Sequence, residues 1–379
     1  MKNQAHFGLE KPLSMDLTSL QAALLLCRLA NLGPRSAKKL IDECGSAQKV
    51  LQEKPSNLLK INGIGNSHLA GISQWESVIP QLEKEEQFLK KKKLTPFIYG
   101  QNTYPITLAH SSDPPVVFFQ KGRVNWENKK IISIVGTRKP TARGIAFCEE
   151  LIEEIAPYSP LIVSGFARGI DIVAHRKALK MGLETVAVLA HTFDQWYPKE
   201  HHVEVDKVLK NGAFVTEFWS DAPFERANFL KRNRIIAGLS HATIVIESGE
   251  KGGSLVTASQ ALAYGREVFA PPGRVSDTQS KGCLNLIKAD RARLITSGAD
   301  IATWLEWEEK TPIKAVQKSL FVELSKEEAE LYDLLKEPLS LDEITLKTKR
   351  PVGQIAADLM QLELKGIVRS LAGKRFEQL

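Results

Sequence analysis

The sequence predicts an α/β fold, with a helical domain before the central section and a winged helix after it. Three observations carry that prediction. Short apolar runs alternate with helix-length segments between residues 131 and 304. Two glycine turns ahead of residue 95 each open a helix. Three helical segments followed by a hairpin pattern close the chain. A length of 379 residues, 43% apolar and 25% charged, suits two or three globular domains and excludes disordered or collagen-like classes.

The front, residues 1–95, reads as short helices. Leu32-Gly33-Pro34-Arg35 and Ile61-Asn62-Gly63-Ile64-Gly65 both place a glycine turn between an apolar residue and a new helix, the helix-hairpin-helix pattern. Such a turn bares backbone N–H groups that can bind phosphate, with Arg35, Lys38 and Lys39 adding charge. A plain helical packing module explains the same pattern. The run Lys90–Lys93 reads as a solvated helix end.

Residues 96–310 form the central domain. Pro96–Gly100 and Val116–Gly122 are β-prone runs separated by the turn signals Tyr104-Pro105 and Asp113-Pro114-Pro115. Strands are expected at Ile131–Val135, Leu161–Ser164, Thr185–Ala190, Ala213–Thr216, Ala242–Ile246, Glu267–Ala270 and Arg293–Thr296. Helices are expected at Gly144–Ala156, Ile170–Lys180 and Ser254–Tyr264. Strands without polar alternation imply burial on both faces, hence a parallel sheet between two helix layers. Ligands of such sheets sit beyond the C-terminal strand ends.

Residues 311–379 are expected to hold a linker and a winged-helix domain. Ser325–Lys336, Ser340–Lys347 and Pro351–Lys365 read as helices, with Ser340 and Glu343 at capping-box spacing. Ile367–Leu371 and Arg375–Gln378, joined by a turn at Ala372-Gly373, would form the wing.

Lys+Arg 51 against Asp+Glu 44 leaves +7. Residues 1–130 hold 18 basic and 11 acidic side chains, whereas residues 305–379 hold 12 and 14. A polyanion partner fits that distribution. No run approaches the roughly 20 apolar residues of a membrane span, and Met1–Asp16 lacks a signal-peptide core. Cys27, Cys44, Cys148 and Cys283 are scattered, so a cytosolic protein with reduced thiols and no metal site is expected.

Strand ends in the central domain open into loops of small and basic residues: Gly136-Thr137-Arg138, Ser164-Gly165 to Arg168-Gly169, and Lys251-Gly252-Gly253-Ser254. Glycines let a backbone approach an anion, the following helix supplies free N–H donors, and Arg or Lys clamps phosphate oxygens. Arg232, Asn233 and Arg234 lie in a further helix, Phe229–Ser240, whose buried face is expected at Ile235, Ile236 and Leu239, leaving the two arginines for the site. Phe229 could stack on a base or pack in the core. Asp171 and His175, four apart, could imitate a catalytic pair, but a helix-start carboxylate and a packed imidazole are the commoner arrangement. Neither G-x-G-x-x-G at the first turn nor G-x-x-x-x-G-K-[ST] is present, which leaves dinucleotide chemistry and P-loop hydrolysis unsupported.

Ile134-Val135-Gly136-Thr137-Arg138, Ser164 to His175, Arg232 to Ser240, Gly253 to Ala258, Gly265 to Gly273 and Gly282 to Ile287 together resemble the DNA-processing protein A family (DprA, also called Smf). The resemblance spans about 96–305 in order. It implies an extended Rossmann-like core, with accessory domains of helix-hairpin-helix (SAM-like) and winged-helix type. It further implies a dimeric, non-catalytic protein without cofactor that binds single-stranded DNA regardless of sequence. Such proteins protect incoming strands in natural transformation and load the RecA recombinase. By the same resemblance Gly136, Arg138, Ser164, Gly165, Arg168, Arg232, Asn233 and Lys251 would line the strand pocket, with Phe229 as stacking ring and Lys199 as a further phosphate contact. The chain departs from the family at His191-Thr192-Phe193, Glu217-Phe218-Trp219 and Leu230. A rival reading is a nucleoside-monophosphate phosphoribohydrolase on a similar core, but its loop needs carboxylates after the glycines, and Ser254 to Gln260 has none. A duplex-binding regulator is disfavoured by Asp358 and Glu363 on the recognition helix.

Overall fold

The computed structural model describes residues 17–127, 130–307, 324–365, 367–371 and 375–378. The linker expected at 311–322 and the turn at Ala372-Gly373 lie outside the described residues. The chain divides into two compact units between Glu309 and Lys310, the helical front belonging to the same unit as the α/β section.

In the first unit a nine-stranded sheet is built from β1 (Thr95–Ile98), β2 (Val117–Gly122), β3 (Ile131–Val135), β4 (Leu161–Ser164), β5 (Thr185–Val188), β6 (Gly212–Thr216), β7 (Ala242–Val245), β8 (Glu267–Ala270) and β9 (Arg293–Leu294). Their order is β1-β2-β6-β5-β4-β3-β7-β8-β9. From β6 across to β9 every pairing is parallel, and β3, β4 and β5 are wholly buried, as runs without alternation require. The expected parallel sheet gains an antiparallel edge, because β1 pairs antiparallel with β2 and β2 lies antiparallel to β6. Strand order reverses beside β3, which has β4 on one side and β7 on the other. That reversal opens a crevice above the C-terminal ends of β3 and β7, where loops must diverge.

The front packs as short helices. Ser19–Arg28 is closed by a capping box of Thr18 and Gln21 and buries Ala22 to Leu26. Pro34–Cys44 and Asn66–Ser73 start directly after Gly33 and Gly65, as the two glycine turns predict. Ser36 Oγ and His68 Nε2, 3.1 Å apart, tie these two helix starts together.

The second unit has its own core of Leu331, Leu335, Ile344, Ile355, Leu359, Leu362 and Val368. Helices Lys326–Leu334, Leu341–Thr348 and Val352–Leu364 precede strands Val368–Leu371 and Arg375–Gln378, with capping boxes at Ser325/Glu328 and Ser340/Glu343. A strand at Leu339–Ser340 joins the wing as a third member.

Candidate functional site

The crevice above β3 and β7 is a cavity of about 710 Å³. Two of the three predicted glycine turns open broadly onto it, Gly136, Thr137 and Arg138 after β3 and Lys251, Gly252, Gly253 and Ser254 after β7, while the third contributes Ala167 alone. Gly252 is the N-cap of helix Gly253–Ala263, whose first N–H groups therefore lie at the cavity wall. Helix Arg226–Leu239 forms the facing wall with Arg226, Phe229, Leu230, Arg232 and Asn233. Asn233 Nδ2 reaches Gly253 O at 3.5 Å, so the two walls nearly touch at that end.

A second cavity of about 220 Å³ adjoins it, sharing Arg138, Ala167, Tyr197 and Phe229. Gly165 and Arg168 from the third predicted turn line this smaller space. The Arg138 guanidinium lies over the Phe229 ring at 5.5 Å, between the two cavities. Phe229 is half-buried and stands edge-on to Tyr197 at 5.8 Å and Phe224 at 5.7 Å. The cavities thus meet at an aromatic wall capped by a cation.

The two arginines expected at the site are both buried, and they do different things. Arg232 donates to the carbonyls of Gly165 (2.6 Å) and Val188, at the ends of β4 and β5. Burial pulls its pKa down to about 10 against the opposing pull of Asp171. It lines the larger cavity with Nη1 engaged on those two carbonyls, while its buried Nε has no hydrogen-bond partner among the described residues. Arg234 lines neither cavity; it donates to Asp113 O and pairs with Glu217 on the other side of the helix. The expectation of one buried helix face is corrected here. From Arg234 onward this helix is enclosed on every side, although Leu230 and Lys231 before it stay exposed, so the polar positions of that half need internal partners rather than solvent.

Ser164 is buried and donates to Ile134 O at 2.6 Å, which holds β4 against β3 and places it away from both cavities. Gly169 has φ +78 and packs on the backbone of Thr137 and Arg138; it lines neither cavity. Lys199 is exposed on a short turn beside Pro198, which lines the smaller cavity while the lysine does not. Arg168 pairs with Glu200. Arg138 and Lys251 remain exposed cations at the larger cavity.

Sequence reasoning passed over Arg226, Phe224 and Tyr197. Arg226, Phe229, Leu230 and Asn233 follow i, i+3, i+4, i+7 spacing, so one helix face carried the missing cation. Phe224 and Tyr197 meet at 5.1 Å from loops far apart in sequence, and no local pattern announces that.

Carboxylates are scarce at this site. Asp171, the one acidic residue of the larger cavity's lining, is buried and accepts the Gly165 and Ala167 N–H groups at 3.1 and 3.4 Å. His175 points elsewhere, its Nδ1 2.7 Å from Thr185 Oγ1. The pair therefore has the helix-start and packing roles rather than a shared catalytic one. Glu247, beside the β7 loop, spends its oxygens on Thr141 N (2.9 Å) and Thr141 Oγ1 (2.6 Å), at the start of helix Ala142–Ile155. Among the described residues no group of three metal-ligating side chains exists.

A doubly wound α/β protein with glycine turns, helix starts and cations around its switch-point crevice has the class of site that suits an anion in this architecture. Comparison with known proteins places it more narrowly. The family model described as DNA recombination-mediator protein A matches residues 95–306, and the DprA winged helix domain matches residues 321–374. The chain belongs to the DNA recombination-mediator protein A family, the DprA/Smf proteins, whose role is DNA processing in recombination.

Protein Smf of Synechocystis is 28% identical across 93% of this chain and 96% of its own length. The DNA processing protein DprA of Bacillus subtilis is 37% identical across 60% and 76%. The X-ray structure of DNA processing protein A from Streptococcus pneumoniae aligns with a TM-score of 0.65 at 31% identity, covering 78% of this chain and 99% of that one. A structure of the Helicobacter pylori protein, described for its single-stranded DNA binding mode, aligns with a TM-score of 0.52 at 26% identity, covering 57% and 98%. Among the described residues no helix is long and apolar enough to cross a membrane.

Proposed function

We propose that this protein binds single-stranded DNA without sequence preference in the paired cavities, and acts as a non-catalytic mediator that shields the strand and loads a RecA recombinase. The observation that carries the reading is the convergence of two glycine turns, Arg138, Arg226 and Lys251 on one crevice with an aromatic wall at its end. Phosphates would sit against the glycine turns and cations. A base would stack at Phe229, Tyr197 and Phe224, which distinguishes no sequence because every base has a π face. The Helicobacter pylori relative, described as a single-stranded DNA binder, supports the ligand. The recombinase partner and a homodimeric state are part of the same proposal and rest on the family resemblance alone.

Absence of enzymatic turnover is supported by the uses found for Asp171 and Glu247. Both carboxylates are committed to backbone or hydroxyl donors, whereas an oxocarbenium-like transition state needs one free beside the sugar. Gel shifts with single-stranded DNA, duplex DNA and RNA, each with and without recombinase, test the reading. Preference for the single DNA strand, and faster recombinase filament growth, are expected. Equal affinity for duplex, or steady release of free base from nucleoside monophosphates, would overturn it.

A further inference from the structure

Two of the three rings of the aromatic wall, Tyr197 and Phe224, stand on loops, and both loops are fastened to the helical front. Helix Ile79–Lys92 is the last helix of the front. Its Glu85 accepts the Ser220 N–H at 2.9 Å and the Ser220 hydroxyl at 2.6 Å. Two turns further on, Lys92 pairs with Asp194 at 2.9 Å. Ser220 belongs to the loop that delivers Phe224 to the larger cavity, Arg226 being held by the helix that follows; Asp194 belongs to the loop that delivers Tyr197. Arg28, from the first helix, lies over the Trp219 ring at 4.3 Å and pairs with Asp221, so three successive residues of one loop are gripped.

Glu85 is 1% exposed, and its Oε1 finds no hydrogen-bond partner among the described residues. Burial raises its pKa, outweighing the two Ser220 hydrogen bonds and the Arg28 charge that favour the carboxylate. A carboxylate placed there is costly to packing alone, since an apolar side chain would fill the space without that penalty. What the carboxylate provides is a two-pronged hold on Ser220. At the glycine turns of the front, by contrast, two of the three cations are occupied: Lys38 on Asp42 and Tyr99, Lys39 on Asn62 O.

We infer that helix Ile79–Lys92 is a positioning device. Through Glu85 and, more weakly, Lys92 it sets where Phe224 and Tyr197 stand relative to Phe229, and so controls base stacking rather than phosphate binding. This rests on the strand-binding reading above. Glu85 touches no ligand and acts through Ser220.

The test compares oligothymidylate with an abasic deoxyribose-phosphate strand of equal length, for the full chain and for Glu85→Ala, Glu85→Gln and Ser220→Ala. Glu85→Ala should weaken oligothymidylate binding about tenfold, the size of one lost base–aromatic stack. Affinity for the abasic strand, and the salt dependence of both, should stay unchanged. Glu85→Gln keeps an acceptor for Ser220 and should restore stacking. Ser220→Ala, which leaves the packing of the front intact, should move the same way by a smaller factor. Equal losses on both strands, or no loss on either, would overturn the inference. A wild-type protein that binds neither strand would instead remove the strand-binding reading, and this inference with it.

Discussion

At the scale of single residues, cations of identical type divide by burial into ligand groups and structural groups. Arg138 and Lys251 are exposed beside helix starts and have spare donors. Replacing either with alanine should weaken strand binding and lower the slope of log affinity against log salt by about one. Arg232→Ala should act differently. It strips donors from the Gly165 and Val188 carbonyls, costing about 1–3 kcal/mol of stability for each acceptor left unpaired, read from urea unfolding. His175 gives a pH-dependent case. Burial lowers its pKa from 6.5 to about 3, so the folded state favours the neutral ring. Its contribution is complete above pH 6.5 and is lost progressively as pH falls toward 3. The gap in urea midpoint between wild type and His175→Gln should therefore narrow as pH is lowered through that window; a constant gap would contradict the assignment.

At the scale of elements, the crevice exists because turns from neighbouring strands pack backbone against backbone. Gly169 accepts φ +78 where the turn after β4 presses on Thr137 and Arg138 of the turn after β3. Gly169→Ala should cost about 1–3 kcal/mol and spread the two turns, since both the conformation and the space exclude a Cβ. A melting temperature and strand affinity equal to wild type would refute this. Phe166 in the same turn holds φ +56 without being glycine, fixed by rings of His201 at 5.3 Å and Phe214 at 5.1 Å. Helix Arg226–Leu239 shows where periodicity misleads. Its one apolar stripe was legible, but the half from Arg234 onward is enclosed and has no solvent face, so Arg234 is paired inward with Glu217.

At the scale of the whole molecule, the second unit has a separate core, and its recognition helix Val352–Leu364 carries no cation. Phosphate attraction through that helix has no source. Deleting residues 311–379 should leave the first unit folded and its nonspecific strand affinity within about twofold of the full chain, a shift under roughly 0.5 kcal/mol. Titration of labelled strand against both proteins checks this, and abolished binding would place the strand site partly in the tail.

The sequence by itself determined the α/β core, strand by strand from Ile131–Val135 to Glu267–Ala270, because buried parallel strands leave unbroken apolar runs and glycine turns mark their ends. It also disclosed the winged-helix order, since capping boxes and helix stops are written locally. Tertiary structure decided which cations face a ligand, that Phe224 and Tyr197 join Phe229, and that Glu85 grips the loop between them. Burial and contact between residues more than a hundred positions apart, such as Glu85 and Ser220, depend on how elements stack, and no periodicity within one segment records that.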